Sequence, residues 1–198
     1  VHAFELQPKV ACLLRRSALR NEFDIHVHNS AVSSKSNLLA SWSDISNNPG
    51  GVGIKNLVGS SKDKVSLHPI ESVQTITLDD MFYGKLRTIP FMKVDTEGHE
   101  FNVLKGSYNL LQDKVIKNMV VEIRSHQGNM LRYLIDRGYK CIMIQEDTPF
   151  YFKSCAEMEN VAPDKLQRNV ENLGCKIVNK VCRKRNRKVF SDIFCCSL

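Results

Sequence analysis

The sequence lacks any long apolar run. A transmembrane helix needs about 18 or more consecutive apolar residues, and the 198 residues contain no such run. A basic stretch followed by an apolar one, the pattern of a secretory signal, is also missing from the start of the chain. The chain opens with Val1 inside an apolar segment, so the sequence leaves open a targeting signal upstream. We predict a protein without a transmembrane helix.

Cysteine pairs with metal-binding spacing are missing as well. The seven cysteines form no Cys-x-x-Cys pair, and an odd number does not favour a disulfide framework. Cys12 and Cys141 lie among apolar residues, which predicts buried thiols. We therefore expect neither a zinc site nor a disulfide framework. A reducing compartment, the cytoplasm, is the expected location.

An extended basic surface is not indicated either, although the net charge is +7. Residues 1–147 hold 18 basic and 16 acidic side chains, so this part is nearly neutral, and the excess lies mainly in the run 180–188. That run is either a solvated connection or a contact for phosphates or an acidic membrane. No aromatic residues alternate with it for base stacking. We therefore expect no nucleic-acid binding. Membrane association through the run or through the C-terminal Cys195 is left open but is not expected.

The pattern of apolar residues predicts strands that alternate with helices. The predicted strands are 1–5, 25–32, 73–78, 90–94, 115–123, 139–144 and 189–194. The predicted helices are 10–20, 99–112 and 129–137, with a helix N-cap at 79–80 and a C-cap at Gly138. Residues 33–70 are rich in Ser, Asn and Gly and predict a loop with short hairpin pieces. This alternation is typical of a single α/β domain with a largely parallel sheet.

Three carboxylates and a histidine follow one of these strands, which is predicted to be buried on both faces. Asp95, Glu97, His99 and Glu100 lie where the strand gives way to a helix, and open α/β sheets bind ligands at such ends. These side chains suit a general base, groups that orient a substrate, or metal ligands. The alternative is structural: Asp95 or Thr96 caps the helix, and the other acids favour the positive end of its dipole. One histidine without ligand spacing is a weak basis for a metal site, so we expect no metal.

A further acid, Glu5, ends the first predicted strand. In Rossmann-type sheets an acid at a strand end accepts hydrogen bonds from the ribose hydroxyls of a nucleoside, because an ionised carboxylate can take two donors at once. The alternative for Glu5 is a solvated acid in a loop. Glu122 is interpreted equally as a second site acid or as a solvated residue at a strand end. His26 and His28 share one strand face and are interpreted as ordinary strand residues, because no nearby Cys or carboxylate completes a metal set.

Five segments of the chain carry a combined signature. They are Ala3-Phe-Glu-Leu-Gln-Pro8, Asn29-Ser-Ala-Val32, Thr75-Ile-Thr-Leu-Asp-Asp80, Met92-Lys-Val-Asp-Thr-Glu-Gly-His-Glu100 and Val103-Leu-Lys-Gly106. In this order they resemble the FkbM-type methyltransferases, which use S-adenosylmethionine. The resemblance covers about residues 1–147, and residues 148–198 are then a C-terminal continuation of the same domain that carries the basic run 180–188.

The resemblance implies a fold, a cofactor and a set of site residues. The fold is the Rossmann-like sheet of class I methyltransferases, mostly parallel, with seven strands and a reversed last strand. Glu5 then holds the ribose of S-adenosylmethionine, while Ser30 and Ala31 line the adenine pocket. The remaining implied positions are Asp95, beside the reactive end of the cofactor, and Glu97 and His99, near the methyl acceptor. The implied reaction is O-methylation of a small-molecule or glycan hydroxyl.

The sequence departs from the family at one place. The family's first strand and its glycine-rich turn would precede Val1, and Gly50-Gly51-Val-Gly53 lies in a Ser/Asn-rich loop rather than behind a buried strand. We therefore expect an N-terminally truncated chain whose sheet lacks its first, central strand. Such a chain alone is expected to bind the cofactor poorly or not at all. The alternative function is that of a non-catalytic binding or trafficking module, or an inactive fragment.

Overall fold

The structure is a computed structural model that describes residues 1–42, 51–58, 72–123, 128–144 and 191–197. The chain divides into two compact units. Unit 1 consists of Val1–Lys85 and Thr96–Asn109, and unit 2 of Leu86–Asp95 and Leu110–Leu198. The basic run 180–188, and with it the prediction of phosphate or membrane contacts, lies outside the described residues.

Unit 1 begins with a strand, a helix and a parallel strand. Strand β1 (His2–Phe4) pairs in parallel with β2 (His26–His28), and helix α1 (Pro8–Arg20) connects them. Pro8 occupies the first helical turn, where its missing N–H has no partner to lose. Ala11 and Ala18, seven residues apart, are the buried residues of the helix, so these small side chains form its inner face. The predicted strand and helix at this end of the chain are confirmed.

A second sheet in unit 1 is mostly antiparallel. Its strands are β3 (Ala31–Val32), β4 (Leu39–Trp42), β5 (Ile54–Val58) and β6 (Ser72–Ile76), in the order β3-β6-β4-β5. Only β3 and β6 run parallel. The predicted single strand at 25–32 is therefore wrong, since β2 and β3 belong to different sheets. Between these two strands, the Asn29 amide donates to the carbonyl oxygens of Glu5 and Leu6, at 2.9 and 3.1 Å.

The predicted helix at 99–112 consists of two short helices, α3 (Glu100–Lys105) and α4 (Tyr108–Gln112). The Gly106 carbonyl between them accepts a hydrogen bond from the Asp79 backbone N–H at 2.9 Å. The Asp79 carboxylate in turn accepts from the backbone and side chain of Asn109. Since Gly106 and the start of α4 bond to Asp79, the helix is interrupted at this point.

The preceding helix, α2 (Leu78–Phe82), begins two to three residues earlier than predicted. Its N-cap is Thr77, whose hydroxyl accepts from the Asp80 N–H at 3.0 Å. The prediction that residues 79–80 provide the cap is wrong. Asp80 instead accepts a hydrogen bond from the Ser36 hydroxyl, and this bond is the first cause of the lowered pKa of Asp80.

Unit 2 contains a four-stranded sheet with one reversed strand. Its strands are β7 (Ile89–Val94), β8 (Ile116–Ile123), β9 (Tyr139–Ile144) and β10 (Ser191–Ser197), and helix α5 (Gly128–Ile135) precedes β9. The sheet order is β7-β8-β10-β9, with β7 and β8 parallel and β10 antiparallel to both neighbours. The predicted strands 115–123 and 139–144 are confirmed. A last strand is also confirmed, and its described residues, Ser191–Ser197, are reversed.

Strand β7 is less buried than its apolar sequence predicts. Val94 is buried, but Phe91 is 50% exposed. Among the described strands β7 pairs only with β8, so it lies at an edge of the sheet that these strands form. The prediction of a strand covered on both faces is wrong, because Val94 is the one buried residue of this strand.

A disulfide bond joins the last two strands in the sheet of unit 2. Cys141 on β9 lies directly opposite Cys195 on β10, and their sulfur atoms are bonded. Cys196 is also disulfide-bonded, whereas Cys12 is free and exposed. The expectation of no disulfide framework and the prediction of a buried Cys12 thiol are wrong. Cys141 is buried as predicted, but it is bonded and not a free thiol. The sequence could not reveal this bond, because its two cysteines are 54 residues apart and no local pattern pairs them.

The described part of the chain is thus a mixed α/β structure with three small sheets. The predicted α/β class is confirmed, but a single, mostly parallel sheet is not what the described strands form. Three strand pairs are parallel and four are antiparallel. None of the described helices has the length and apolar character needed to cross a membrane.

Candidate active site

Glu5 directly follows β1 and is partly buried. Its Oε1 atom accepts a hydrogen bond from the Gln7 backbone N–H at 2.7 Å, just before α1 begins. The Glu5 backbone N–H donates to the His28 carbonyl at 2.9 Å, which extends the β1–β2 pairing by one residue. One carboxylate oxygen is therefore held by the backbone. A carboxylate has about four acceptor sites, so Glu5 keeps the capacity to accept from a vicinal diol.

Ser30 and Ala31, the residues expected at the adenine pocket, follow β2. Ser30 is partly buried and lies in a bend. Ala31 is 3% exposed and belongs to an apolar cluster with Ala40, Trp42 and Val73. The Ala31 methyl group is thus packed within the second sheet of unit 1 and is not open to a ligand.

Asp95 belongs to unit 2, where it directly follows β7. Its carboxylate forms an ion pair with Lys93, with 3.0 Å between Nζ and Oδ2. Both side chains are substantially exposed, so water screens this pair and its contribution to stability is small. Asp95 is accessible for chemistry at the end of a strand, as the sequence predicted.

Glu97 and Gly98 form a tight turn in unit 1. Both residues have left-handed backbone conformations, with φ of 55° at Glu97 and 103° at Gly98. Such a conformation is uncommon for a residue with a side chain. Gly53 packs against this turn so closely that a Cβ atom there would lie 2.7 Å from the Glu97 carbonyl oxygen. The turn is therefore fixed by its packing against Gly53 as well as by its own residues.

Glu100 lies behind the same turn and is fully buried. Its Oε1 atom accepts hydrogen bonds from the backbone N–H groups of Thr96 and Gly98, at 3.0 and 2.8 Å. The Thr96 hydroxyl is 3.3 Å from the same oxygen. The structural interpretation of the acid cluster thus applies to Glu100, which binds the backbone of the turn in front of α3.

His99 is 8% exposed and bonded through both ring nitrogens. Its Nε2 is 2.9 Å from the Ser33 hydroxyl, and its Nδ1 is 3.1 Å from Nδ2 of Asn102. Because an amide nitrogen can only donate, Nδ1 accepts, so Nε2 carries the proton and donates to Ser33. Burial lowers the pKa of His99, and the neighbouring Glu100 opposes this only in part. His99 is therefore neutral at pH 7.

Ser33 and Asn102, the partners of His99, were not among the predicted site residues. Ser33 is fully buried although it opens a Ser-rich segment, and it is 66 residues away from His99. No local pattern marks such a pair. Asn102 follows His99 by three residues and lies on the first turn of α3, so its helical spacing could have indicated the contact.

The histidines of the first two strands form a stacked group. His2 stacks on His26 and His28, with ring centroids 5.0 and 5.2 Å apart, and its Nδ1 is 2.9 Å from Nε2 of His28. Burial is the first cause of the lowered pKa of both His2 and His28. Among the residues that the structure describes, no group of three or more His, Cys, Asp or Glu side chains is arranged to hold a metal ion.

Comparison with protein families identifies the chain. The model of the methyltransferase FkbM domain matches residues 1–141. The chain belongs to the FkbM methyltransferase family. Its members are S-adenosylmethionine-dependent methyltransferases, so the resemblance seen in the five sequence segments is confirmed. Searches of curated proteins and of solved structures found no match.

Proposed function

We propose that this FkbM methyltransferase transfers a methyl group from S-adenosylmethionine to a hydroxyl oxygen of a small molecule or glycan. The observation that carries the proposal is the Glu5 carboxylate at the end of β1. It is fixed through one oxygen by the Gln7 N–H and keeps acceptor capacity for the two hydroxyls of a ribose. This is the chemistry that a nucleoside cofactor requires at a strand end.

The strand arrangement supports a class I methyltransferase sheet. In unit 1, β1 and β2 form a parallel pair joined by a helix. In unit 2, β7, β8 and β9 run in the same direction, and the last strand, β10, is reversed and inserted between β8 and β9. Each arrangement is one expected of a part of that seven-stranded sheet. None of the described strands pairs with β1 on its second edge.

The bound cofactor supplies an electrophilic methyl group on a sulfonium ion. The residues of this chain must then position an acceptor hydroxyl and take its proton. We propose Asp95 or Glu97 as the proton acceptor, since each is a carboxylate in the segment that follows β7. His99 could take a proton only after its bond to Asn102 breaks, because the lone pair that would accept the proton, on Nδ1, accepts that bond.

The proposal is tested by methyl transfer from tritium-labelled S-adenosylmethionine to a panel of small alcohols and glycans. The protein should be produced both as these 198 residues and as the product of the complete transcript. We expect label in a hydroxyl-bearing acceptor, and its loss in Glu5→Gln. In the product of the complete transcript, cofactor binding without transfer to any acceptor would favour a binding module, and the absence of both binding and transfer would contradict the proposal.

A further inference from the structure

We propose that Glu100 is a positioning residue that fixes the backbone turn carrying Glu97. This inference rests on the proposed methyl transfer, in which Glu97 is a candidate proton acceptor. Glu100 does not need to touch a substrate for this role. It acts through the backbone of Thr96 and Gly98, the residues on either side of Glu97.

The geometry of the Glu100 carboxylate carries the proposal. The side chain is fully buried, and one of its oxygens receives the N–H groups of Thr96 and Gly98 together. Because both groups donate to the same atom, the backbone between them is curved around that oxygen, and Glu97 lies at this bend. A hydrogen bond to a buried carboxylate is stronger than one between neutral groups. Glu100 therefore stabilises the turn by accepting hydrogen bonds from both of these backbone N–H groups.

The conformation of Glu97 explains why such a clamp is needed. Its positive φ of 55° is disfavoured for a residue with a Cβ atom and persists only where the surroundings impose it. The Glu100 carboxylate and the close packing of Gly53 against the Glu97 carbonyl both act on this residue. Released from them, the turn would relax, and a carboxylate displaced by about 1 Å can lose about 100-fold in rate.

A direct proton-transfer role for Glu100 would leave a different signature. A base must lie within hydrogen-bonding reach of the proton that it removes, whereas Glu100 is enclosed and its oxygen is bonded to the turn. The amide of glutamine retains an oxygen that can accept from Thr96 and Gly98 but cannot act as a base. Glu100→Gln and Glu100→Ala therefore separate positioning from proton transfer.

The first experiment measures amide hydrogen exchange at Thr96 and Gly98 in the product of the complete transcript. We expect exchange to rise at least about 10-fold in Glu100→Ala, because both N–H groups lose their acceptor, and less than about 3-fold in Glu100→Gln. The control is Ser107→Ala. Ser107 is also fully buried, and its hydroxyl donates to the Val103 carbonyl at 2.8 Å, away from the turn, so this variant should leave both amides unchanged.

The second experiment measures methyl transfer by the same variants. We expect kcat to fall about 100-fold in Glu100→Ala, to recover to within about 5-fold of the parent in Glu100→Gln, and the KM for S-adenosylmethionine to stay constant. Unchanged exchange in Glu100→Ala, or an equal loss of kcat in both variants, would overturn the proposal. Exchange needs no acceptor molecule, so it tests Glu100 even if methyl transfer is not found.

Discussion

The imidazole of His99 and the hydroxyl of Ser33 form a buried hydrogen bond of 2.9 Å across 66 residues of sequence. The bond joins the segment after β3 to the start of α3, both in unit 1. It ties the region expected to bind the adenine to the turn that carries Glu97. A change in the protonation of His99 therefore bears on both regions at once.

The stability of the protein should fall when the pH drops below about 6.5. Burial lowers the pKa of His99 in the folded state, so below the unfolded value of about 6.5 the unfolded chain binds a proton that the folded one does not. The contribution of His99 to stability is therefore fully present above this pH. It is lost as the pH falls toward the folded pKa, by up to about 1.4 kcal/mol per pH unit. Urea unfolding between pH 5 and 8 measures this dependence.

The control for this dependence is His99→Gln. The lowered pKa values of His2 and His28 act in the same direction, and they remain in the variant. The slope of stability against pH should therefore decrease in His99→Gln without vanishing. An identical slope in both proteins would show that His99 does not titrate differently on folding.

Gly106→Ala should destabilise the protein by about 3 kcal/mol. A Cβ atom at this position would overlap the Ser33 carbonyl oxygen and approach the Thr77 Cβ atom at 3.3 Å, and the Ser33 backbone cannot move without affecting its bond to Ile76. The matched control is Gly84→Ala. Gly84 has a positive φ of 73° but no neighbour within 4 Å, so only the backbone penalty of about 1–2 kcal/mol applies. Equal losses in chemical denaturation would refute the packing argument.

Removing the disulfide of unit 2 with Cys141→Ala should lower the free energy of unfolding by about 2–5 kcal/mol. The bond connects β9 and β10 across 54 residues, so its loss frees a long loop in the unfolded state. Cys12→Ala is the matched control, since this thiol is exposed and free, and its effect should stay within about 0.5 kcal/mol. Alkylation of Cys141 and Cys195 without prior reduction, detected by mass spectrometry, would contradict the bond.

The disulfide also changes the argument about compartment. A reducing location was predicted because the cysteine count gave no sign of disulfides. The Cys141–Cys195 bond removes that premise, and structural disulfides persist mainly in oxidising compartments. The cytoplasmic location therefore stays a prediction without its supporting observation.

The sequence predicted the regular elements better than their connections. The helix from Pro8 and the strand from Ile116 follow from local apolar patterns, which depend on residues close in sequence. The interruption of the helix at Gly106 depends on Asp79, and the burial of Ser33 depends on His99. These contacts join distant segments, so periodicity carries no information about them.

The same distinction holds for the candidate site. The run from Asp95 to Glu100 was recognisable because its acids follow an apolar strand. The different environments of these side chains were not recognisable. Glu100 is buried behind the turn, His99 is hydrogen-bonded through both ring nitrogens, and Asp95 is exposed. Burial and hydrogen bonding separate these side chains, and neither can be read from their types and spacing.

The most direct test of the account is a calorimetric titration of S-adenosylmethionine into the product of the complete transcript and into its Glu5→Gln variant. A hydrogen bond to a charged group contributes about 1.5–3 kcal/mol, so the account predicts a dissociation constant about 10- to 100-fold higher in the variant, with unchanged stability. Equal affinity in both proteins, or no binding to the parent, would contradict the claim that Glu5 holds the cofactor.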